Sequence, residues 1–241
     1  MIIAPWNYPF QLLMVPLIGA VAAGNCVVLK PSPHASRVAG VIHDLIAEVF
    51  EVSHVRVVQG GRDVNQALLA ERFDYIFFTG SPALGQIVMK AAAEHLTPVT
   101  LELGGKSPCI VGHEADLDLA ARRLVWGKFL NAGQTCIAPD YLFVHTGIKP
   151  VFLEKIVHYI RCFYGEDPQN SPDYPRIVRT EAVQRIARLM EKGRKVCGGK
   201  VELEECYIAP TVIDGVLPDD PVMQEEIFGP VLPVLEFQEV Q

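Results

Sequence analysis

Two side chains in this 241-residue chain have the types and settings for covalent chemistry on a carbonyl. The stretch Thr100-Leu101-Glu102-Leu103-Gly104-Gly105-Lys106 ends an apolar run in a carboxylate followed by paired glycines. Thirty-four positions after Glu102, Asn131-Ala132-Gly133-Gln134-Thr135 leads into Cys136. A thiol presented on a tight turn is a nucleophile once deprotonated, and with a pKa of about 8.5 it needs help from its site. A carboxylate at a strand end, beside two residues without side chains, can reach both a substrate and water as a general base. Each residue also has a plainer reading. A cysteine is often a small buried hydrophobe, and a glutamate is often a cap or a solvated surface group.

The elements that must position them alternate. An apolar helix is expected over Phe10–Ala23, buried and too short to span a bilayer. Strands follow at Cys26–Leu29, Val55–Val58, Tyr75–Phe78 and Pro98–Leu101. Between them lie helices carrying Val38, Val41, Ile42, Leu45, Ile46, Val49 and Phe50 as one stripe, then about Asp63–Glu71, then Gln86–His95. Alternating strand and helix implies a parallel sheet with right-handed crossovers, whose ligands sit at the carboxyl ends of the strands. Lys30, Gly80-Ser81 and Glu102 fall at such ends. Gly80 and Gly85 do not form the dinucleotide fingerprint or a P-loop. They either let the backbone approach a diphosphate at a helix N-terminus or make an ordinary turn. Lys30 is either a ribose or phosphate contact or a solvated lysine. Asn7, flanked by Pro5 and Pro9, reads locally as a turn residue.

The second half repeats the pattern. Leu117, Ala120, Ala121, Leu124 and Val125 form a helical stripe leading to the cysteine loop. Pro150 opens a helix with Phe152, Leu153, Ile156, Ile160 and Phe163 inward and Gly165 as its stop. Another helix runs from about Glu181 to Lys192, ended by Gly193. Strands are expected around Ser107–Val111, Tyr141–Val144, Tyr207–Ile213 and Val231–Phe237, the last run extending apolar to Val240 with nothing beyond it to pair. Both ends read as cut, as in a fragment of a larger protein.

Composition bounds the function. Half the residues are apolar and a fifth charged, as in a globular protein. A net charge of −7 without any basic run argues against nucleic acid or an anionic membrane surface as partner. The six cysteines and seven histidines show no metal-site spacing and no disulfide rhythm, which suits reduced thiols in the cytoplasm.

Six motifs in order resemble the aldehyde dehydrogenase superfamily over essentially the whole chain: Pro5-Trp6-Asn7-Tyr8-Pro9, Leu29-Lys30-Pro31-Ser32, Phe78-Thr79-Gly80-Ser81, Leu101–Pro108, Phe129–Cys136 and Glu225-Glu226-Ile227-Phe228-Gly229-Pro230. Cys136-Ile137-Ala138-Pro139-Asp140-Tyr141, Tyr164–Asp167, Tyr207–Thr211 and Met223–Glu226 resemble its class 3 branch, which oxidises medium- and long-chain aliphatic and aromatic aldehydes with NAD or NADP. The resemblance implies a truncated Rossmann-like NAD(P)-binding domain over 1–103 and a truncated α/β catalytic domain over 104–241, with the site between them. It implies Cys136 as nucleophile, Glu102 as the base that activates water, and Asn7 as oxyanion donor with the Cys136 N–H. Glu226 would hold the nicotinamide ribose and Phe228 pack beside it. Lys30 would bind the adenosine ribose, Trp6 and Ser81 would contact phosphates with Gly80 and Gly85 admitting the backbone, and Tyr8 would line the substrate tunnel. Cys109, Cys162, Cys197 and Cys206 match no chemical position and are expected to be packing residues.

Pro33 departs from the family, which commonly has a glutamate there that bonds the adenosine ribose. The expectation is weaker NAD binding or greater tolerance of the NADP 2′-phosphate. The full-length form is expected to be a homodimer in the cytoplasm, with room for membrane association through a C-terminal tail absent here; this chain has no membrane segment. The alternative is a non-catalytic isoform or fragment that binds only nucleotide or full-length subunits.

Overall fold

A computed structural model describes residues 1–239. Two compact units follow one another, Met1–Gly104 and a second beginning at Gly105. In the first, β1 (Ile2–Ile3), α1 (Gln11–Ala22), β2 (Val27–Lys30), α2 (Ser36–Val49), β3 (Val55–Val57), α3 (Arg62–Ala70), β4 (Ile76–Thr79), α4 (Pro82–Ala93) and β5 (Val99–Glu102) alternate as the pattern requires. The sheet order is β3-β2-β1-β4-β5, with every pairing parallel. Ile2, at the start of the chain, stands in its middle, opposite Leu29 on one side and Phe77 on the other.

Two helix expectations need correction. The apolar helix is not buried. Only Leu13 and Leu17 of α1 are covered, while Val15 and Ile18 lie open, 61% and 67% exposed. One helix against one sheet can bury only the side that faces the sheet. For the same reason the α2 stripe divides: Ala39, Ile42 and Ile46 face inward, and Val38, Val41, Leu45 and Val49 face out. The third change is a boundary. α4 starts at Pro82 rather than Gln86, because Ser81 caps it and Pro82 supplies a preset first turn.

The second unit holds β6 (Pro108–Val111), α5 (Leu117–Phe129), β7 (Tyr141–His145), α6 (Lys149–Tyr164), α7 (Thr180–Leu189), β8 (Arg194–Cys197), β9 (Val201–Glu202), β10 (Tyr207–Ile208), β11 (Thr211–Asp214), α8 (Pro221–Gln224) and β12 (Val231–Phe237). Its five-stranded sheet runs β6-β7-β12-β11-β8, parallel except for the edge strand β8. β12, with no later strand to pair with, is flanked by the earlier strands β7 and β11; Val240 lies outside the described residues. The core packs Ala121, Leu124, Val125 and Phe129 of α5 with Phe152, Ile156 and Ile160 of α6. Asp116 caps α5 by accepting the Asp118 and Leu119 N–H groups, and Gly165 at φ 79° stops α6.

The expected strand Tyr207–Ile213 is two strands. Pro210 has no N–H for a ladder, and around it the chain passes from the β9–β10 ribbon to the main sheet. α7 ends three residues short of Lys192, since Gly193, at φ 81°, must turn the chain into β8. β8 and β9 escape sequence patterning because Arg194-Lys195-Val196-Cys197 and Val201-Glu202 are short and polar at one end. Cys109, Cys197 and Cys206 pack against the core, but Cys162 is exposed on α6 with its Sγ 3.4 Å from His158 Nε2. It is not a packing residue.

Candidate active site

In the first unit the candidate residues stand at the carboxyl ends of the parallel strands. Ile3 pairs with Lys30 and with Phe78, and Thr79 lies opposite Glu102. The Gly80 N–H donates to the Glu102 carbonyl at 3.0 Å, tying the ends of β4 and β5 together. Glu102 is exposed, the last residue of an edge strand. A Cβ on Gly80 would fall 2.6 Å from the Phe78 ring, so internal packing alone demands glycine there. Gly85 is not in the loop at all: it is buried in the first turn of α4, where a Cβ would come within 2.9 Å of Leu103. The Ser81 hydroxyl accepts the Leu84 N–H at 3.4 Å and caps that helix.

Lys30 is not a solvated lysine. It is 1% exposed, its Nζ donates to the Pro31 carbonyl at 2.8 Å, and burial pushes its ammonium pKa down. Beside it Pro31, Ser32, Pro33, Ser36, Gln59 and Gly60 contribute to the wall of a hollow of about 190 Å³. Trp6, Asn7 and Tyr8 sit half-buried in the segment between β1 and α1, with the Asn7 amide oxygen fully covered.

In the second unit a short 3₁₀ turn, Leu130–Gly133, follows α5 and carries the chain towards Cys136. Asn131 and Ala132 take φ of 53° each and Gly133 takes 72°, three successive left-handed residues. Gln134 is buried and locks this shape. Its amide Nε2 donates to the Asn131 and Arg176 carbonyls at 3.0 and 3.1 Å, and its Oε1 accepts the Val178 N–H at 2.9 Å. Cys136, half-buried, follows two residues on. A Cβ on Gly133 would collide with the Gly229 carbonyl, and it would stand 3.1 Å from the Lys128 carbonyl. The cysteine loop and the Glu226–Gly229 loop therefore touch backbone to backbone. Phe228, within the second loop, is also left-handed at φ 48°. Non-glycine residues held this way cost of order 1–2 kcal/mol each and collect at functional sites.

Three charged side chains clamp the Glu226 loop. Lys106 pairs with Asp140 and donates to the carbonyls of Val222 and Glu225 at 3.0 and 2.8 Å. Asp140 Oδ1 accepts the Ile227 N–H at 3.0 Å. Arg185 bonds Glu225 Oε1 at 3.0 Å, the Glu226 carbonyl at 3.1 Å and the Ile227 carbonyl at 2.6 Å. Glu226 itself receives the Gly105 N–H, while burial pushes its carboxyl up from the ordinary value. Its Oε1 is fully covered and, among the described residues, accepts no hydrogen bond.

A family model described as "Aldehyde dehydrogenase family" matches residues 1–241, the whole chain, covering both loops and all the strand ends above. The chain belongs to the aldehyde dehydrogenase family. A rat relative, "Aldehyde dehydrogenase, dimeric NADP-preferring", is 50% identical over 98% of this chain and 52% of its own length. Human "Aldehyde dehydrogenase family 3 member B1" is 50% identical over 99% of this chain and 51% of its own. The solved structure of substrate-bound AldH from Staphylococcus aureus superposes with a TM-score of 0.93 at 48% identity, covering 98% of this chain and 52% of that one. The chain spans about half the length of the curated relatives it matches.

A buried acceptor normally has a donor, so the covered Glu226 oxygen, which has none among the described residues, is compatible with a hydroxyl-bearing group such as a nicotinamide dinucleotide. Among the described residues no group of three metal-binding side chains occurs, and no helix is long and apolar enough to cross a membrane. Motif reading named Glu226 and Phe228 but missed the side chains that hold them. Lys106 and Asp140 lie inside the quoted motifs without a role. Arg185 gave no signal, since an arginine on an amphipathic helix is commonplace.

Proposed function

We propose that the protein this chain represents oxidises medium- and long-chain aliphatic or aromatic aldehydes to carboxylic acids with NAD or NADP. Cys136 Sγ, as thiolate, bonds to the aldehyde carbon and gives a tetrahedral thiohemiacetal. The Asn7 side-chain amide and the Cys136 N–H donate to its oxyanion, each donor worth about 3 kcal/mol of transition-state stabilisation. A nicotinamide dinucleotide, when bound, supplies the acceptor for the hydride that leaves this carbon. Cys136 then carries a thioester, and Glu102 takes a proton from the water that attacks it, releasing acid and free thiol. Glu226 and Phe228 hold the nicotinamide ribose and ring; Lys30 holds the adenosine ribose; Trp6, Ser81 and the backbone at Gly80 face the phosphates; Tyr8 lines the aldehyde path.

What supports this reading is the family match over residues 1–241, with the cysteine loop seated on the Glu226 loop. For the whole protein it extends to a cytoplasmic homodimer, the dimer being in line with the word "dimeric" in the name of the rat relative. The half-length span favours a second reading for this polypeptide alone: it binds nucleotide or full-length subunits without turnover. NAD(P)H production from a long-chain aldehyde by the purified chain, beside Cys136→Ala, separates the two. Turnover lost in Cys136→Ala is the expected result, and equal background in both rejects catalysis by the 241-residue chain.

A further inference from the structure

Arg185 reaches from α7 to the Glu226 loop, and the chemistry proposed above gives it no task. Its Nη1 donates to Glu225 Oε1 at 3.0 Å and to the Glu226 carbonyl at 3.1 Å, and its Nη2 donates to the Ile227 carbonyl at 2.6 Å. One planar fork thus spans two successive peptide carbonyls, a geometry that a lysine, a point charge on a flexible stem, does not match. The N–H of the first of these peptides, that of Ile227, donates to Asp140 Oδ1 at 3.0 Å. The Glu226–Ile227 peptide is therefore gripped at both ends, its carbonyl by a cation and its N–H by an anion. A half-turn of that peptide would aim its oxygen at the carboxylate and its N–H at the guanidinium. Lys106 holds the carbonyls of Val222 and Glu225, upstream of this peptide, and does not replace the grip. Ile186, next to Arg185 on α7, packs against the same loop: a Cβ on Gly229 would come within 2.5 Å of its Cδ1. Glu226, with its covered Oε1, opens the gripped segment, and Phe228, left-handed at φ 48°, closes it.

We propose that Arg185 is a positioning residue: its fork fixes the orientation of the Glu226–Ile227 peptide, and with it the aim of the Glu226 carboxyl and the Phe228 ring at the nicotinamide half of the dinucleotide. This rests on Glu226 being the ribose acceptor. A left-handed non-glycine residue persists only where its surroundings over-determine it, so the segment relaxes at Phe228 once the fork is lost.

Amide hydrogen exchange tests the lock without cofactor. In Arg185→Met the Ile227 amide exchanges about 10- to 100-fold faster, as expected when hydrogen bonds to a charged group are lost, while the amides of β7 and β12 keep their protection. Arg185→Lys keeps the charge without the fork, and Ile227 exchange stays faster than in the unaltered chain. Unchanged Ile227 exchange in Arg185→Met, or full protection in Arg185→Lys, overturns the proposal. So does a rise shared by β7 and β12, the mark of a merely structural arginine; the lysine variant decides alone if the methionine variant does not fold. Affinity for NAD beside ADP, which has no nicotinamide half, reads the consequence. In Arg185→Met the NAD affinity falls about tenfold and the ADP affinity is unchanged, whereas an equal loss of both overturns the role. Wild-type NAD affinity in Glu226→Gln defeats the ribose-acceptor reading itself, and Ile227 exchange still decides the lock.

Discussion

Gly133 is where the candidate chemistry depends most on a missing side chain. Its φ of 72° excludes most residues, and its Cα faces the Gly229 carbonyl with no room for a methyl group. Gly133→Ala forces the two loops apart, at a cost of about 2–3 kcal/mol from left-handed strain and overpacking together. Thermal unfolding of the variant reads that loss, and unchanged stability would show that the loops part without strain. Pro33 poses a separate question of specificity. It borders a hollow whose other named wall residues, Pro31, Ser32, Ser36, Gln59 and Gly60, include no carboxylate. A glutamate there would repel a 2′-phosphate at short range, so Pro33→Glu in a full-length form should raise the Michaelis constant for NADP relative to NAD about tenfold, ~1.4 kcal/mol. A constant ratio between the two cofactors removes Pro33 from specificity.

Among the elements, β11 ends in a carboxylate that joins three parts of the second sheet. Asp214 Oδ1 pairs with Lys149 at the start of α6 at 2.6 Å, and its Oδ2 with Arg194 at the start of β8 at 2.8 Å. Burial pushes this carboxyl up, but the hydrogen bonds from Lys149 and Arg194 outweigh it and hold the pKa below the ordinary carboxylate value. A depressed pKa gives stability that is present above the unfolded value of about 3.9 and lost as pH falls through the lower folded one. Asp214→Asn should therefore destabilise the chain at neutral pH by about 2–3 kcal/mol and flatten the decline in melting temperature on acidification below pH ~4. Parallel declines in both proteins would assign the acid sensitivity to other groups. Elements of this kind show what a sequence can and cannot display. Every long strand and helix of the first unit was readable, because short β-branched runs and amphipathic turns carry their period in the chain itself. That Lys30, Gly80-Ser81 and Glu102 stand at the carboxyl ends of β2, β4 and β5 could be read before any coordinates, from the alternation that makes a parallel sheet. Which faces of α1 and α2 are covered could not, since burial depends on how many layers surround a helix and not on its own pattern. Nor could the Lys106–Asp140–Ile227 and Arg185–Glu225 clamps, whose partners stand 34 or more residues apart with no local trace.

At the scale of the whole molecule, the first unit presents apolar side chains to solvent on several helices: Val15 and Ile18 on α1, Val41 and Val49 on α2, Ile87 and Met89 on α4. Patches of this kind mark association or aggregation surfaces. The 241-residue polypeptide should bind an apolar dye and self-associate as concentration rises, and Ile18→Lys with Val41→Lys should reduce both without altering the circular dichroism spectrum. Unchanged light scattering in the double variant would place the association elsewhere.

The position of β12 has a kinetic consequence. It fills the centre of the second sheet, where Val234 aligns with Leu142 across ninety-two positions of sequence. In the first unit each partner strand is within about one crossover, except where the first strand waits for β4. Long-range pairing closes a large loop before its contacts reward it, which slows folding. On a ribosome, the early sheet can assemble while the later one remains two separated edges until the residues of β12 emerge. The cysteine loop would then stay open to solvent during synthesis, its thiol unsupported until its glycine-lined seat arrives roughly a hundred residues after it.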